Sequence, residues 1–375
     1  MFATTLTIDV SNSQILENEA AIIAQTYNIA TEELCLKVSK VCHFIRENKI
    51  NLIEQFPISK TIFKVSKTHL DGFSIYLARD RAGKIHFFIN LGKTVSFNNE
   101  GYHKRLSHAV KYDEKSIEKW VLAKMPLKDD LKRIMSKNES HCLYMFPDKK
   151  ELVQTDLFET LPTRLLDKQY IFMPFYELGS LEQALIHKRV FSNKQRQQLF
   201  LDIAHAIMYM HNNNVAYRDV KPENILLYER DNQLRAKLTD FGLSNELRED
   251  TIFKLDTSPY IFSPEMLELK VANKTEIDRK DIKSCDIWAL GLTFYRMFFG
   301  IKPYEEAYQT FRRVKDPYQF KLAIENWLET HFPEPENKFS IQYLIYEMLS
   351  IDPQTRPPIE QVIESLKKIY FSEVI

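Results

Sequence analysis

Glycine is scarce in this chain, at eight residues in 375, so any loop that needs several draws on a small supply. Cysteine is scarcer still. Cys35, Cys42, Cys142 and Cys285 form no CxxC pair and sit in no His-rich cluster, which argues against a zinc site. Four are too few for a disulfide framework, so reduced, buried thiols and a working life inside a cell are expected. Net charge is also missing, since 51 basic and 51 acidic residues cancel. Without a global field there is no charge-driven recruitment of nucleic acid or an anionic membrane, and a phosphate ligand must be held by a local site. No run approaches the roughly 20 apolar residues of a membrane span, and the N-terminus shows no basic segment followed by an apolar core. A soluble, cytoplasmic protein is the expectation, with no transmembrane segment.

What is present is an ordinary globular balance, 44% hydrophobic and 27% charged, over a length that suits two to three compact units. Leu34, Val38, Val41, Cys42 and Ile45 fall on one helical stripe, with a weaker helical stretch before them from Ile15 to Ala24. From Thr61 to Phe97 the texture changes. Short β-branched runs, Ile62 to Val65, Phe73 to Leu77 and Ile85 to Leu91, are separated by turn signals at Asp71-Gly72 and Ala82-Gly83 and predict hairpins. Strand-like runs at Leu106 to Tyr112 and Trp120 to Met125 precede a helical pattern through Leu127, Leu131, Met135 and Cys142. Further strands are expected near Leu152 to Phe158 and Tyr170 to Phe175, after which the chain reads as mainly helical. A β-rich piece followed by a helical one predicts a two-lobed α+β architecture.

The chemistry concentrates in Tyr217-Arg218-Asp219-Val220-Lys221-Pro222-Glu223-Asn224, followed by Asp240-Phe241-Gly242. This joint pattern resembles the catalytic loop and metal-binding turn of eukaryotic-type protein kinases, with each polar position filled. Phosphoryl transfer demands positioning and charge stabilisation rather than covalent chemistry, which explains the residue types. The resemblance implies that Asp219 orients the substrate hydroxyl and accepts its proton. Lys221 neutralises charge on the transferred group. Asn224 and Asp240 supply hard oxygen ligands for Mg²⁺, or Mn²⁺ in its place, on the phosphates of ATP. Downstream, Ser263-Pro264-Glu265 resembles the motif that closes the activation segment, and Arg356 stands where the family pairs an arginine with that glutamate. Asp286-Ile287-Trp288-Ala289-Leu290-Gly291 resembles the segment whose aspartate braces the catalytic loop. Thr257 matches the threonine that bridges catalytic aspartate and lysine in Ser/Thr kinases. Arg218 resembles the arginine of kinases switched by a phosphate, for which Thr251 is the one nearby acceptor.

A kinase also needs a strand lysine on the ATP phosphates and a helix glutamate to hold it, and two alignments compete. In one, Gly83 to Ile89 is the lysine-bearing strand and Ile89 stands at the lysine position, which implies a pseudokinase or a kinase with a relocated lysine. In the other, Ile85 to Gly92, Leu106 to Tyr112 and Trp120 to Met125 are the first three strands, so Lys124 is the lysine and Glu139 its partner fifteen residues on. The second leaves no part missing. Its phosphate-covering loop, Gly92 to Gly101, departs from the family pattern with only Gly92 well placed, and Leu122 replaces the small residue that roofs the adenine. Met173 then becomes the gatekeeper, and Met173, Phe175 and Tyr176 line the adenine connector, where the backbone N–H of Tyr176 is the donor.

The reading is an ATP-dependent Ser/Thr protein kinase with a bilobal fold: an N-terminal extension, helical and then hairpin-like, at residues 1–84, and a kinase domain at 85–375. The lobes divide as N-lobe 85–173, hinge 174–179 and C-lobe 180–375. A protein substrate is implied, along with a regulatory partner acting through residues 1–84. The rival is a pseudokinase that works as an allosteric or scaffolding module. An Asn-, Lys- and Ile-rich composition also suits a kinase delivered into a host cell.

Overall fold

In the computed structural model the described residues are 41–50 (save 43 and 46), 62–64, 74–80, 82–94, 105–113, 116–126, 130–146, 150, 152–153, 168–247, 253–254, 259–274, 276–277 and 279–369. The chain divides into two compact units. One comprises Met1–Asp148 with Gln154–Phe175, the other Lys149–Val153 with Tyr176–Ile375.

The first unit is built on an antiparallel sheet whose strands lie side by side in chain order. They are β1 (Ile62–Lys64), β2 (Ser74–Arg79), β3 (Ile85–Thr94), β4 (Arg105–Asp113), β5 (Ser116–Pro126) and β6 (Lys168–Pro174). Helix α1 (Asp130–Met145) connects β5 to β6 and packs on β5. Consecutive residues are buried along Ile75 to Ala78, His86 to Leu91, Trp120 to Ala123 and Ile171 to Met173, so both faces of the sheet are covered. That is why these strands read as unbroken apolar runs instead of alternating.

The sheet also curls. In a flat sheet β2 and β6 would stand four strand spacings apart, about 19 Å. Instead, the Tyr76 ring on β2 lies 5.4 Å from that of Tyr170 and 5.8 Å from that of Phe172, both on β6. Phe88 fills the middle, stacked on Phe172 at 4.0 Å and edge-on to Trp120 at 5.3 Å. This ring cluster, with Ala78, Ala109 and Leu122, occupies one face from β2 to β6.

The second unit is mainly helical: α2 (Leu181–Ile186), α3 (Asn193–Asn212), α4 (Pro264–Val271), α5 (Arg279–Phe299), α6 (Glu305–Val314), α7 (Pro317–His331), α8 (Ile341–Met348) and α9 (Ile359–Lys368). Ser180 and Ser192 open α2 and α3 with capping boxes to Gln183 and Gln195. Helix α5 runs through the core with Trp288 fully buried. A Cβ at Gly291 would stand 3.0 Å from Met348 and Leu349, so glycine is what lets α5 and the end of α8 approach.

This unit is less purely helical than the sequence reading has it. Strands β8 (Ile225–Arg230) and β9 (Gln233–Leu238) form a hairpin, turned at Asp231 and Asn232 with φ 52° and 58°. The buried Ile225, Leu227, Leu234, Ala236 and Leu238 carry the period-two signal that marks it. Asp202 on α3 clamps the hairpin, pairing with Arg235 at 2.8 and 2.7 Å and accepting the Ala236 N–H at 2.9 Å. Short strands β7 (Val215–Ala216) and β10 (Asn245–Glu246) pair with each other, as do β11 (Phe253–Lys254) and β12 (Glu276–Ile277). Leu152 bridges to Leu238 where a strand is expected, while 154–167 lie outside the described residues. Among the described residues no helix is long and apolar enough to cross a membrane, and Cys42, Cys142 and Cys285 are buried cysteines outside any disulfide.

Candidate active site

The loop from Tyr217 to Asn224 joins β7 to β8, and its shape is set from beneath by one buried carboxylate. Asp286 on α5 accepts the backbone N–H of Tyr217 at 2.8 Å and of Arg218 at 2.7 Å, and meets His211 Nε2 at 2.9 Å. With its oxygens so engaged, the buried Asp286 fixes where the chain turns toward Asp219. Pro222 then starts a single 3₁₀ turn, Pro222–Asn224, in which Asn224 N–H bonds Lys221 O at 3.0 Å. That tight turn aims the Asn224 side chain back at Asp219.

Asp219 is the hub. Asn224 Nδ2 donates to its Oδ2 at 2.7 Å and to its backbone carbonyl at 3.0 Å. Lys221 Nζ reaches Oδ1 at 2.9 Å and Oδ2 at 2.8 Å. Burial pushes the Asp219 carboxyl above its ordinary value; Lys221 and Asn224 oppose the rise and the charge of Asp240 adds to it. For Lys221, burial alone would lower the ammonium, but the charges and hydrogen bond of Asp219, with Asp240, outweigh it and hold the group protonated. The result is a carboxylate made more basic than usual beside a fixed positive charge, which is what accepting a proton while stabilising new negative charge requires.

Asp240 lies close enough for its charge to act on both groups, and its backbone sits in the left-handed region at φ 66°. A non-glycine residue there costs of order 1 kcal/mol and is held by its surroundings. Tyr217 supplies the hold: its hydroxyl donates to Thr239 O at 2.5 Å, and its ring meets Phe241 edge-on at 6.1 Å. Both neighbours of Asp240 are thus gripped by one buried ring. With its amide nitrogen turned to Asp219, Asn224 keeps Oδ1 as its acceptor. One amide oxygen and one carboxylate suit Mg²⁺, which takes few protein ligands and completes its shell with phosphate oxygens and water. Among the described residues no cluster of three or more His, Cys, Asp or Glu could form an all-protein metal cage.

In the first unit, Lys124 on β5 holds its Nζ 5.8 Å from the Tyr76 ring centroid. Glu139 is buried on α1. Gly92 takes φ 74° near the end of β3, and Val95 to Gly101 lie outside the described residues. The strand register separates two of the expected nucleotide contacts. Lys124 pairs with Tyr170 and Leu122 with Phe172, whereas Met173 pairs with Val121. Partners in an antiparallel ladder share a face and neighbours along a strand do not, so Lys124 and Met173 lie on opposite faces. On the face of Lys124, the β6 residues that flank Met173 are Phe172 and Pro174. Phe175 continues the ladder, its N–H donating to Lys119 O at 3.2 Å and its ring meeting His108 at 5.5 Å.

In the second unit, Tyr176 packs its ring on Tyr228 and accepts the Gly179 N–H at 3.1 Å through its carbonyl; its own N–H has no partner among the described residues. Thr257 and Thr251 lie outside the described residues. Further along, Glu265 and Arg356 form a bidentate pair with both contacts at 2.7 Å.

A model of the protein kinase domain matches residues 108–366. The chain belongs to the protein kinase family. Among curated relatives, it is 28% identical over 202 residues to the ovarian-specific serine/threonine-protein kinase Lok of Drosophila melanogaster, covering 53% of this chain and 40% of that one. It is 30% identical over 197 residues to NUAK family SNF1-like kinase 1 of mouse and of human, covering 52% of this chain and 27% and 26% of theirs. The chain thus spans less than half the length of each. The α+β architecture, a curled sheet and a mainly helical part, is that of the bilobal kinase fold, and family membership implies ATP and a divalent metal in general terms. The matched region begins within β4, so β1 to β3 and Gly92 fall before it.

Several residues that shape this kinase's site escape the sequence reading. His211, Ser244 and Asn245 act through contacts between segments distant in sequence, and no local spacing marks them. The grip of Tyr217 on Thr239 and Phe241 is of the same kind.

Proposed function

We propose that this kinase transfers the γ-phosphate of ATP, with Mg²⁺, to serine or threonine hydroxyls of a protein. The observation that carries the proposal is the Asp219 hub, with both carboxylate oxygens fixed by Lys221 and Asn224 in a setting that raises its basicity. In this reading Asp219 takes the proton from the hydroxyl, and Lys221 offsets charge on the group in flight. Asn224 Oδ1 and Asp240 would hold the metal, which would supply positive charge to the phosphates. Lys124, oriented by Glu139, is the lysine of the nucleotide site. Tyr176 N–H is the adenine donor. The name of the Drosophila relative, together with Thr257, supports Ser/Thr specificity.

Asp219→Asn keeps size and most hydrogen bonds but cannot accept the proton. It should cut kcat for transfer to a protein acceptor by about 10²- to 10⁴-fold while ATP still raises the melting temperature. An unchanged kcat would overturn the assignment.

A second reading has a specific observation behind it. Lys124 sits over Tyr76 at the border of a ring-filled face, and the loop after Gly92 departs from the family pattern, as a module that binds without transferring phosphate could tolerate. Thermal shift with ATP and Mg²⁺, followed by a transfer assay, separates the two readings.

A further inference from the structure

Arg218 is buried, with its backbone in the left-handed region at φ 69°. A buried guanidinium costs several kcal/mol unless its donors are satisfied. Among the described residues its Nη1 donates to two neutral oxygens, Leu243 O and Asn245 Oδ1, each at 3.2 Å. Both belong to the segment that leaves the proposed metal ligand Asp240. That segment is stitched to the chain entering the catalytic loop at further points. Ser244 Oγ donates to Tyr217 O at 3.1 Å, Asn245 pairs with Ala216 in the β7–β10 ladder, and Leu247 N–H donates to Asn214 O at 2.6 Å. A phosphorylated side chain would grip such an arginine through charge-assisted hydrogen bonds. Here the side-chain amide oxygen of Asn245 accepts from it.

We propose that Asn245 is a positioning residue that holds Arg218 as an acquired phosphate otherwise would, so that the catalytic loop is ordered in the unmodified kinase. This rests on the phosphotransfer reading above. Asn245 acts through Arg218, whose backbone N–H is fixed by Asp286 and which directly precedes Asp219. The kinase is therefore active without phosphorylation.

The test uses the full chain, treated with phosphatase and shown by intact mass to be phosphate-free, with myelin basic protein as acceptor, ATP and Mg²⁺. Treated and untreated protein should agree in kcat within about twofold, less than the loss of one hydrogen bond to a charged group would cause. Asn245→Ala should lower kcat about tenfold with KM for ATP held within about twofold. Asn245→Asp should recover the rate to within about threefold, because a carboxylate is the stronger acceptor. Thr251→Ala should change nothing. If Asn245→Ala fails to fold, the phosphatase comparison and the Asp variant still decide. A wild-type rate that appears only after phosphorylation by an added kinase, or an unchanged kcat in Asn245→Ala, would overturn the inference. No transfer from any preparation would overturn instead the phosphotransfer reading beneath it.

Discussion

At the scale of single residues, the site is a set of side chains whose environments push them away from their solution behaviour. Asp219 is the clearest case, because burial and the neighbouring Asp240 charge raise its carboxyl above the ordinary 3.8 despite the opposing pull of Lys221 and Asn224. A base works only when deprotonated. Transfer should therefore fall as pH drops through the raised value, giving an acid limb in kcat/KM centred above 3.8 while the fold, followed by circular dichroism, is still intact. A limb at or below that value would show that the local field does not act as described. The residues of this loop were legible from sequence because they are consecutive and each carries its chemistry in its side chain. Tyr217 was legible as the first residue of the loop motif, but its hold on Thr239 and Phe241 was not, since it depends on a fold that brings separate segments together.

At the scale of elements, long-range ion pairs lock the helices that support the loop. Glu265 at the start of α4 meets Arg356 before α9, and Arg356 also bonds Ser350 O at 2.9 Å and Ser284 O at 3.1 Å. The Cys285 thiol, pushed up by burial, donates to Glu265 Oε1 at 3.2 Å. For Glu265, burial alone would raise the carboxyl, but the Arg356 hydrogen bonds outweigh it and the value falls below the ordinary 4.5. A folded-state value below the unfolded one contributes stability above the unfolded pKa, and that stability is lost as pH falls through the folded value. Glu265→Gln should thus cost about 3–5 kcal/mol at neutral pH by leaving Arg356 buried without its charge partner, and should flatten the loss of stability below pH 4.5. Denaturant melts across pH check both points, and a wild-type pH slope in the variant would contradict them. The resemblance to the kinase family pointed to this pair. Sequence spacing could not fix the faces of the β-strands, because burial on both sides of β5 and β6 removes the alternation that tells one face from the other. Lys124 and Met173 could therefore be assigned to one site although three-dimensional register sets them apart.

At the scale of the whole molecule, the kinase-like strand alignment places a boundary at residue 85, yet the sheet does not stop there. Strand β2 pairs with β3 from Ser74–Asn90 to Arg79–Ile85, and Ile75, Tyr76 and Leu77 are buried. Burying three such side chains is worth roughly 5–9 kcal/mol, comparable to the entire net stability of a domain. Removing residues 1–84 should leave a chain that aggregates or melts far below the full-length protein in calorimetry. A truncated form with an unchanged melting temperature would mean that the extension is an accessory. The α+β class was legible because β-rich and helical textures follow one another along the chain. The curl was not, because it is written in ring contacts between strands about ninety residues apart.

The central claim is that the Asp219 loop performs phosphoryl transfer. The most direct measurement incubates the full chain with γ-labelled ATP, Mg²⁺ and a generic protein acceptor and identifies the labelled amino acid. Phosphoserine and phosphothreonine should appear, and should disappear with a chelator and in Asp219→Asn. Binding of ATP with no label transferred under any divalent metal would contradict the claim.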